Sequence, residues 1–337
     1  MNEAQLASVA QSLVADGRGI LAADESTGTI TRRFKTIGVE STEENRRNYR
    51  ELLFTTAELG NYISGAILYD ETIRQSAADG RPLCKVLKDQ NIHPGIKVDT
   101  GAKPLAGADG ETVTEGLDGL ADRVAEYVSL GATFAKWRAV ITIGRHIPSA
   151  YCIHVNAHAL ARYARLCQEG GLVPIVEPEV LMDGGHDIDR CDRVTENTLN
   201  AVFDELHRQQ VVLEGMLLKP NMVISGTEAA SRAAVDEVTE RTVRCLRRTV
   251  PAAMPGIVFL SGGQSEVEAT AHLNAMNANH GPNPWKLSFS YGRALQDGAL
   301  KGWRGEAGNR DAAQHSLQRR ALLNSAAALG TYSGEAA

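Results

Sequence analysis

The 337-residue sequence is poor in cysteine, with only Cys84, Cys152, Cys167, Cys191 and Cys245. They are odd in number, widely spaced and without a C-x-x-C pair, which excludes a disulfide framework and predicts free thiols in a reducing compartment. No run of eighteen apolar residues occurs, so nothing is expected to span a membrane. The first twenty residues, MNEAQLASVAQSLVADGRGI, carry an acid at Glu3 and no continuous apolar stretch, which argues against a secretory leader. Net positive charge is also lacking, with 35 Lys and Arg against 41 Asp and Glu. The net charge of −6 leaves no footprint for nucleic acid, and RCLRR (244–248) reads as the basic end of an amphipathic helix. The expected location is the cytoplasm.

What is present is the balance of a soluble globular protein, 43% hydrophobic and 23% charged. Apolar, β-rich segments recur at 17–24, 62–70, 93–99, 132–140, 172–180, 215–223, 256–263 and 286–292. Between most of them lie helical patterns, at 41–60, 116–131, 148–171, 186–210, 228–249 and 265–279, with a last one at 311–328. Ser41 followed by Glu44 predicts a capping box for the first. Strand–helix alternation implies parallel strands, and eight units favour a closed (β/α)8 TIM barrel, because closure leaves no edge. With no linker or low-complexity segment, residues 1–337 are expected to form one α/β domain with extra terminal helices and a short tail, 330–337.

Ionisable residues stand where the predicted strands end. The first ends in Asp24, the third carries Lys97 and Asp99, the fourth Lys136 and Arg138, the fifth Glu177 and Glu179, and the sixth Lys219 and Asn221. Each pair is spaced i, i+2, which puts both side chains on one face of a strand. Their convergence on one pocket would add nothing to stability and marks a reactive site. Each has a plainer alternative: Asp24 as a helix cap, Lys136–Glu177 or Lys219–Glu179 as a buried ion pair, Lys97 and Arg138 as rim charges.

Lys219 sits in the apolar run GMLLKPNMV (215–223). Apolar walls and a neighbouring cation such as Lys136 disfavour its ammonium form, leaving a neutral amine able to attack a carbonyl carbon. The resulting Schiff base is an electron sink for carbon–carbon cleavage beside a ketone. FLSGGQS (259–265) supplies Ser261, Gly262 and Gly263 after the seventh strand, and SFSYGRAL (288–295) supplies Ser290, Gly292 and Arg293 after the eighth. Those two loops are the usual phosphate site of such barrels. Ser26, Thr29, Arg33, Lys97 and Arg138 could hold a second anion, with N-capping as the alternative for Ser26 and Thr29. Two phosphate sites around an amine point to a bisphosphorylated keto sugar.

The segments GILAADESTGTI, STEENRRNYRELL, PLAGADGETVTEGLDGL, FAKWR, PIVEPE, LLKPNMV, FLSGGQSE and FSYGRALQ closely resemble class I fructose-bisphosphate aldolases, over about residues 10–330. The resemblance implies a carbon–carbon lyase of the EC 4.1.2.13 type in glycolysis and gluconeogenesis, needing no metal or other cofactor. It assigns the Schiff base to Lys219, general acid–base work to Glu177, positioning to Glu179, contact with substrate hydroxyls to Asp24 and charge support to Lys136. Ser261 and Arg293 would bind the ketone-side phosphate, and Ser26, Thr29, Lys97 and Arg138 would line the other. The partners implied are phosphorylated sugars and further copies of the chain, as homotetramers.

One departure concerns the tail. Animal and plant members end in a tyrosine that assists enamine protonation, whereas this sequence ends GTYSGEAA, with Tyr332 matching an earlier family tyrosine better. Alternatives are a preference for sedoheptulose 1,7-bisphosphate or fructose 1-phosphate, a non-catalytic scaffold role, or a metal-dependent aldolase using His154 and His158. The two histidines fall within a predicted crossover helix, away from the strand ends, and are expected to be ordinary surface or packing residues.

Overall fold

The computed structural model describes residues 2–335. Eight parallel strands close into a barrel: β1 (Gly19–Ala23), β2 (Ile63–Leu68), β3 (His93–Lys97), β6 (Phe134–Ile141), β7 (Val173–Val180), β8 (Leu217–Leu218), β9 (Gly256–Phe259) and β10 (Lys286–Tyr291). The numbering leaves β4 (Gly101–Pro104) and β5 (Thr112–Glu115) for an antiparallel hairpin beside it. Every predicted strand segment matches one barrel strand, with β6 running one residue past its segment to Ile141. The signal was strong because parallel strands covered on both faces read as unbroken apolar runs; β1, β2 and β7 are buried at every position.

The amino end of the barrel is plugged. Leu6, Ala10, Leu13 and Val14, on and just after the helix Glu3–Leu13, pack against Ile20, Ile67, Phe134, Val173, Ile175, Leu217 and Val258 inside the strands. Phe134 crosses the lumen where β3 has no side chain: a Cβ on Gly95 would lie 2.2 Å from its ring. Burying such a ring contributes about 1.5–3 kcal/mol. On the outside, Trp137 stacks on Tyr163 with ring centroids 5.5 Å apart. The Tyr163 hydroxyl reaches the Ala135 and Ile175 carbonyls at 2.9 and 3.0 Å. With that end filled by hydrocarbon, the polar residues are confined to the other end. All five cysteines are buried and unpaired.

Three local expectations are corrected. The segment 215–223 forms only a two-residue strand, because Pro220 has no N–H to continue the ladder. Pairing persists around it through Lys219 N–H to the Val176 carbonyl (2.8 Å) and Leu260 N–H to the Pro220 carbonyl (3.1 Å). The first helical segment starts at Glu43, capped by the Thr42 hydroxyl on Asn45 N–H at 3.1 Å, so Ser41 and Glu44 form no capping box. Ser265 and Glu268 form one instead.

The hairpin was not anticipated. Its turn signal was available in Gly107 and Gly110, both at positive φ. It is tied to β6 by the Thr112 and Thr114 hydroxyls, which donate to the Val140 and Arg138 carbonyls at 3.1 and 2.8 Å.

Candidate active site

A cavity of about 400 Å³ opens at the carboxyl ends of the barrel strands. Every residue singled out for the site lines it except Asn221 and Gly263, the latter standing just behind Gly262 at φ +71°. The i, i+2 alternation works as expected on β6 and β7, where Lys136, Arg138, Glu177 and Glu179 all face the cavity. Beyond β3, Asp99 joins Lys97 there.

At its centre, amines and carboxylates alternate. Lys136 Nζ lies 2.6 Å from Asp24 and 3.3 Å from Glu177 Oε2, and Lys219 Nζ lies 3.1 Å from Glu177 Oε1. The Lys136–Glu177 contact is close without being an aligned hydrogen bond. Lys219 is 4% exposed and Lys136 3%. The sequence suggested that Lys136 acts on Lys219 as a bare second cation; the structure places Glu177 beside both amines. Asp24 makes its ion pair here rather than capping the next helix.

Burial opposes ionisation of Asp24, yet the ammonium groups of Lys136 and Lys219 outweigh it and hold the carboxyl well below its ordinary value. Glu177 follows the same logic: burial pushes it up, and Lys219, Lys136 and Arg138 together bring it down. Lys136 is the counterpart. Burial disfavours its charge, but Asp24 and Glu177 raise its pKa, so it stays an ammonium ion at neutral pH.

The walls carry two further pairs. Lys97 Nζ is 2.9 Å from Asp99, and Arg138 is paired with Glu179. Asn221 departs from its expected place. Alternation holds within a regular strand, and β8 ends at Leu218, before Asn221. The Asn221 amide instead accepts Val180 N–H at 3.1 Å and donates to the Thr195 hydroxyl at 3.1 Å, tying β7 to the helix Ile188–Arg208. It is a structural clamp.

Two neighbouring loop ends bordering the cavity carry donors suited to anions. Gly292 caps the helix Arg293–Trp303, whose first N–H groups lack intrahelical partners, and Arg293 is exposed at the rim. After β1, the barrel neighbour of β10, Ser26 precedes the helix Thr27–Lys35, but its hydroxyl makes no backbone cap. It meets the Thr29 hydroxyl at 3.2 Å and remains available to a ligand.

Sequence reasoning missed the groups behind these ends. Gln264 is buried behind the Ser261 loop, with Oε1 2.6 Å from Nδ1 of buried His272. Burial lowers the His272 pKa to about 4, so the ring is neutral at physiological pH. Glu25, next to Asp24, meets Arg33 and Arg50. Its position inside DES was the only local hint. Gly101 and Ala102 of the unforeseen hairpin complete the wall.

The other candidates lie elsewhere. His154 and His158 sit on the outer helix Ala150–Glu169, and His158 Nδ1 is 3.2 Å from Glu205. Among the described residues no group of three or more His, Cys, Asp or Glu side chains is placed to hold a metal ion. Tyr332 does not line the cavity: its hydroxyl donates to Glu335 at 2.7 Å, and Glu335 is bound by Arg320 at 2.7 Å. Residues 336 and 337 of the expected tail lie outside the described residues.

Comparison with known proteins identifies the family. The family model described as "Fructose-bisphosphate aldolase class-I" matches residues 5–337. A protein of Xanthomonas campestris pv. campestris named "Probable fructose-bisphosphate aldolase class 1" is 61% identical over 335 residues, covering 99% of this chain and 100% of that protein. "Fructose-bisphosphate aldolase 4, cytosolic" of Arabidopsis thaliana is 57% identical over 95% of this chain and 81% of its own length. The solved structure of fructose-bisphosphate aldolase from Plasmodium falciparum, in complex with TRAP and a small-molecule inhibitor, superposes with a TM-score of 0.97. It is 52% identical and covers 98% of this chain and 96% of its own. With barrel, cavity and similarity in agreement over nearly the whole length, the chain belongs to the class I fructose-bisphosphate aldolase family of carbon–carbon lyases.

Proposed function

We propose that this cavity cleaves fructose 1,6-bisphosphate reversibly to dihydroxyacetone phosphate and glyceraldehyde 3-phosphate, with Lys219 as nucleophile. The observation that carries the reading is the buried Lys219 amine 3.1 Å from Glu177, in a cavity lined by several groups suited to anions. The amine adds to the ketone carbon, and loss of water leaves an iminium. Breaking the adjacent carbon–carbon bond sends its electron pair into the iminium, giving an enamine and the free aldehyde. Protonation and hydrolysis of the enamine then release the ketone product.

Glu177 is the acid–base group, and its charge environment explains how. While Lys219 is an ammonium ion it is the strongest influence holding Glu177 ionised. Once the amine has lost its proton and bonded to carbon, that influence is gone. Glu177 then becomes a better proton carrier when the carbinolamine hydroxyl must leave as water. Asp24 faces the substrate hydroxyls, Lys136 balances the charges of Asp24 and Glu177, and Glu179 orients Arg138. Ser261, Gly262, Ser290, Gly292 and Arg293 take the ketone-side phosphate, with Gly263 shaping the turn behind them. Ser26, Thr29, Arg33, Lys97 and Arg138 face the other phosphate.

The test is borohydride reduction in the presence of dihydroxyacetone phosphate, followed by peptide mass mapping. The adduct is expected on the peptide carrying Lys219; turnover with that peptide unmodified would reject the assignment. Arg293→Ala is expected to raise KM by about 10–100-fold with a smaller change in kcat, through loss of a charge-assisted contact to phosphate. A change in kcat alone would move the phosphate elsewhere.

The Tyr332–Glu335–Arg320 contacts bear on the tail. Burial and the Glu335 carboxylate push the Tyr332 pKa up to about 12, which makes it a weak proton donor near neutrality. Deleting residues 331–337 is therefore expected to leave hydrogen exchange of dihydroxyacetone phosphate within about twofold of the full chain, whereas the loss of a general acid typically costs at least ~10²-fold. A large fall would hand the protonation to Tyr332. A cytosolic homo-oligomer, tetrameric by family resemblance, is the accompanying reading of location and assembly. The support for the location is the Arabidopsis relative named as cytosolic.

A further inference from the structure

Glu25 stands between Asp24 and Ser26, and its buried carboxylate meets two guanidinium groups. Arg33 contacts Oε1, and Arg50 Nη2 lies 2.6 Å from Oε2. Gln296, on the helix that begins at Arg293, donates to Glu25 Oε1 at 3.0 Å and to the Ala22 carbonyl at 2.7 Å. The two arginines differ in freedom. The Arg50 side chain is 3% exposed and the Arg33 side chain 24%. Arg33 lines the cavity, and one of its terminal nitrogens lies 3.7 Å from where a Cβ on Gly292 would stand. Arg50 comes from the helix Glu43–Phe54, outside the cavity lining.

Arg50 is a poor choice as a purely structural group. Its Nε and Nη1 are buried without hydrogen-bond partners, and its contact with Glu25 Oε2 is close but unaligned. Unpaired buried donors cost free energy, so what this residue supplies is charge. That charge counts when an anion arrives. If Arg33 were the sole counter-ion of Glu25, drawing it toward a phosphate would strand a buried carboxylate. With Arg50 fixed on the other oxygen, Glu25 stays compensated and Arg33 can turn into the cavity, toward the phosphate that Ser26 and Thr29 face.

We propose that Arg50 is a positioning residue for the aldolase reaction: by neutralising Glu25 it frees Arg33 to bind a substrate phosphate. The inference rests on the phosphate assignment made under the proposed function. Its test measures kcat, KM for fructose 1,6-bisphosphate and Ki for inorganic phosphate in Arg50→Met, Glu25→Gln, the double variant and Arg50→Lys. Arg50→Met is expected to raise KM and Ki by about tenfold, with kcat within about threefold of wild type, because Arg33 is then held by an unshared carboxylate. Adding Glu25→Gln removes that hold and should return both constants to within about threefold of wild type.

A merely structural role gives the opposite result, since a second buried change would deepen the defect. Unchanged constants in Arg50→Met, or no recovery in the double variant, overturn the proposal. If Arg50→Met does not fold, the other single variants decide. Arg50→Lys keeps the charge and should leave KM within about threefold of wild type, and Glu25→Gln should lower Ki. A KM raised about tenfold in the first, or an unchanged Ki in the second, rejects the role of Arg50. Arg293→Ala separates the two levels: if it too leaves KM unmoved, the phosphate assignment fails, and if it raises KM while Arg50→Met does not, only the role of Arg50 falls.

Discussion

Lys219→Arg is expected to lower kcat by on the order of 10⁴-fold or more, to the level of background proton transfer. A guanidinium remains protonated at any working pH and cannot attack a carbonyl carbon. The substitution keeps a positive charge beside Glu177, so the ion pair that surrounds the wild-type amine survives in altered form. The cost to stability should stay near ~1–3 kcal/mol, the usual penalty for a larger side chain in a packed site. Steady-state kinetics and thermal unfolding on the same preparation separate the two effects. Borohydride treatment of this variant should label nothing. Retention of even a hundredth of the activity would mean that the covalent step uses another group.

Lys136→Met carries the second largest effect, an expected fall in kcat of about 10²–10⁴-fold. The lysine neutralises two carboxylates at once, 2.6 and 3.3 Å away, and methionine fills its volume without the charge. The direction of the pH response follows from Asp24. In the wild type its carboxyl is held far below the ordinary value, so it is ionised throughout the range in which the enzyme would be assayed. Whatever stability its ionisation contributes is present above the unfolded-state value and is lost only in strong acid.

Without Lys136, burial is opposed chiefly by Lys219, and the carboxyl must rise. The acid limb of the kcat/KM profile should therefore move toward neutral pH. The fold should persist, because the barrel core lies at the opposite end, around Phe134 and the N-terminal helix. A profile with its acid limb unmoved would show that Asp24 and Lys136 are not coupled in the reacting enzyme.

Much of the site was legible in the sequence because its carriers are strand residues. Period-two alternation on β6 and β7 puts Lys136 with Arg138 and Glu177 with Glu179, and the apolar runs around them mark buried parallel strands. Asn221 failed the same rule. The regular strand ends at Leu218, and the Asn221 amide serves Val180 and Thr195 instead. The hairpin between Gly101 and Glu115 was hidden for a related reason. Its strands are short and largely exposed, so they carry no apolar pattern, and only the turn glycines signal them.

The sequence by itself determined that eight apolar strands alternate with helices, that charged side chains stand at their carboxyl ends, and that two glycine-containing loops follow the last two strands. Only the tertiary structure decided which charge meets which: Lys136 between Asp24 and Glu177, Lys219 against Glu177, Glu25 between Arg33 and Arg50. The reason is one of range. Alternation and capping act over spacings of two to four residues, within reach of a local reading. Pairing across the cavity depends on how the closed barrel staggers its strands, as in the alignment of Lys97 with Lys136 and of Arg138 with Glu177, and no short stretch of chain encodes that offset.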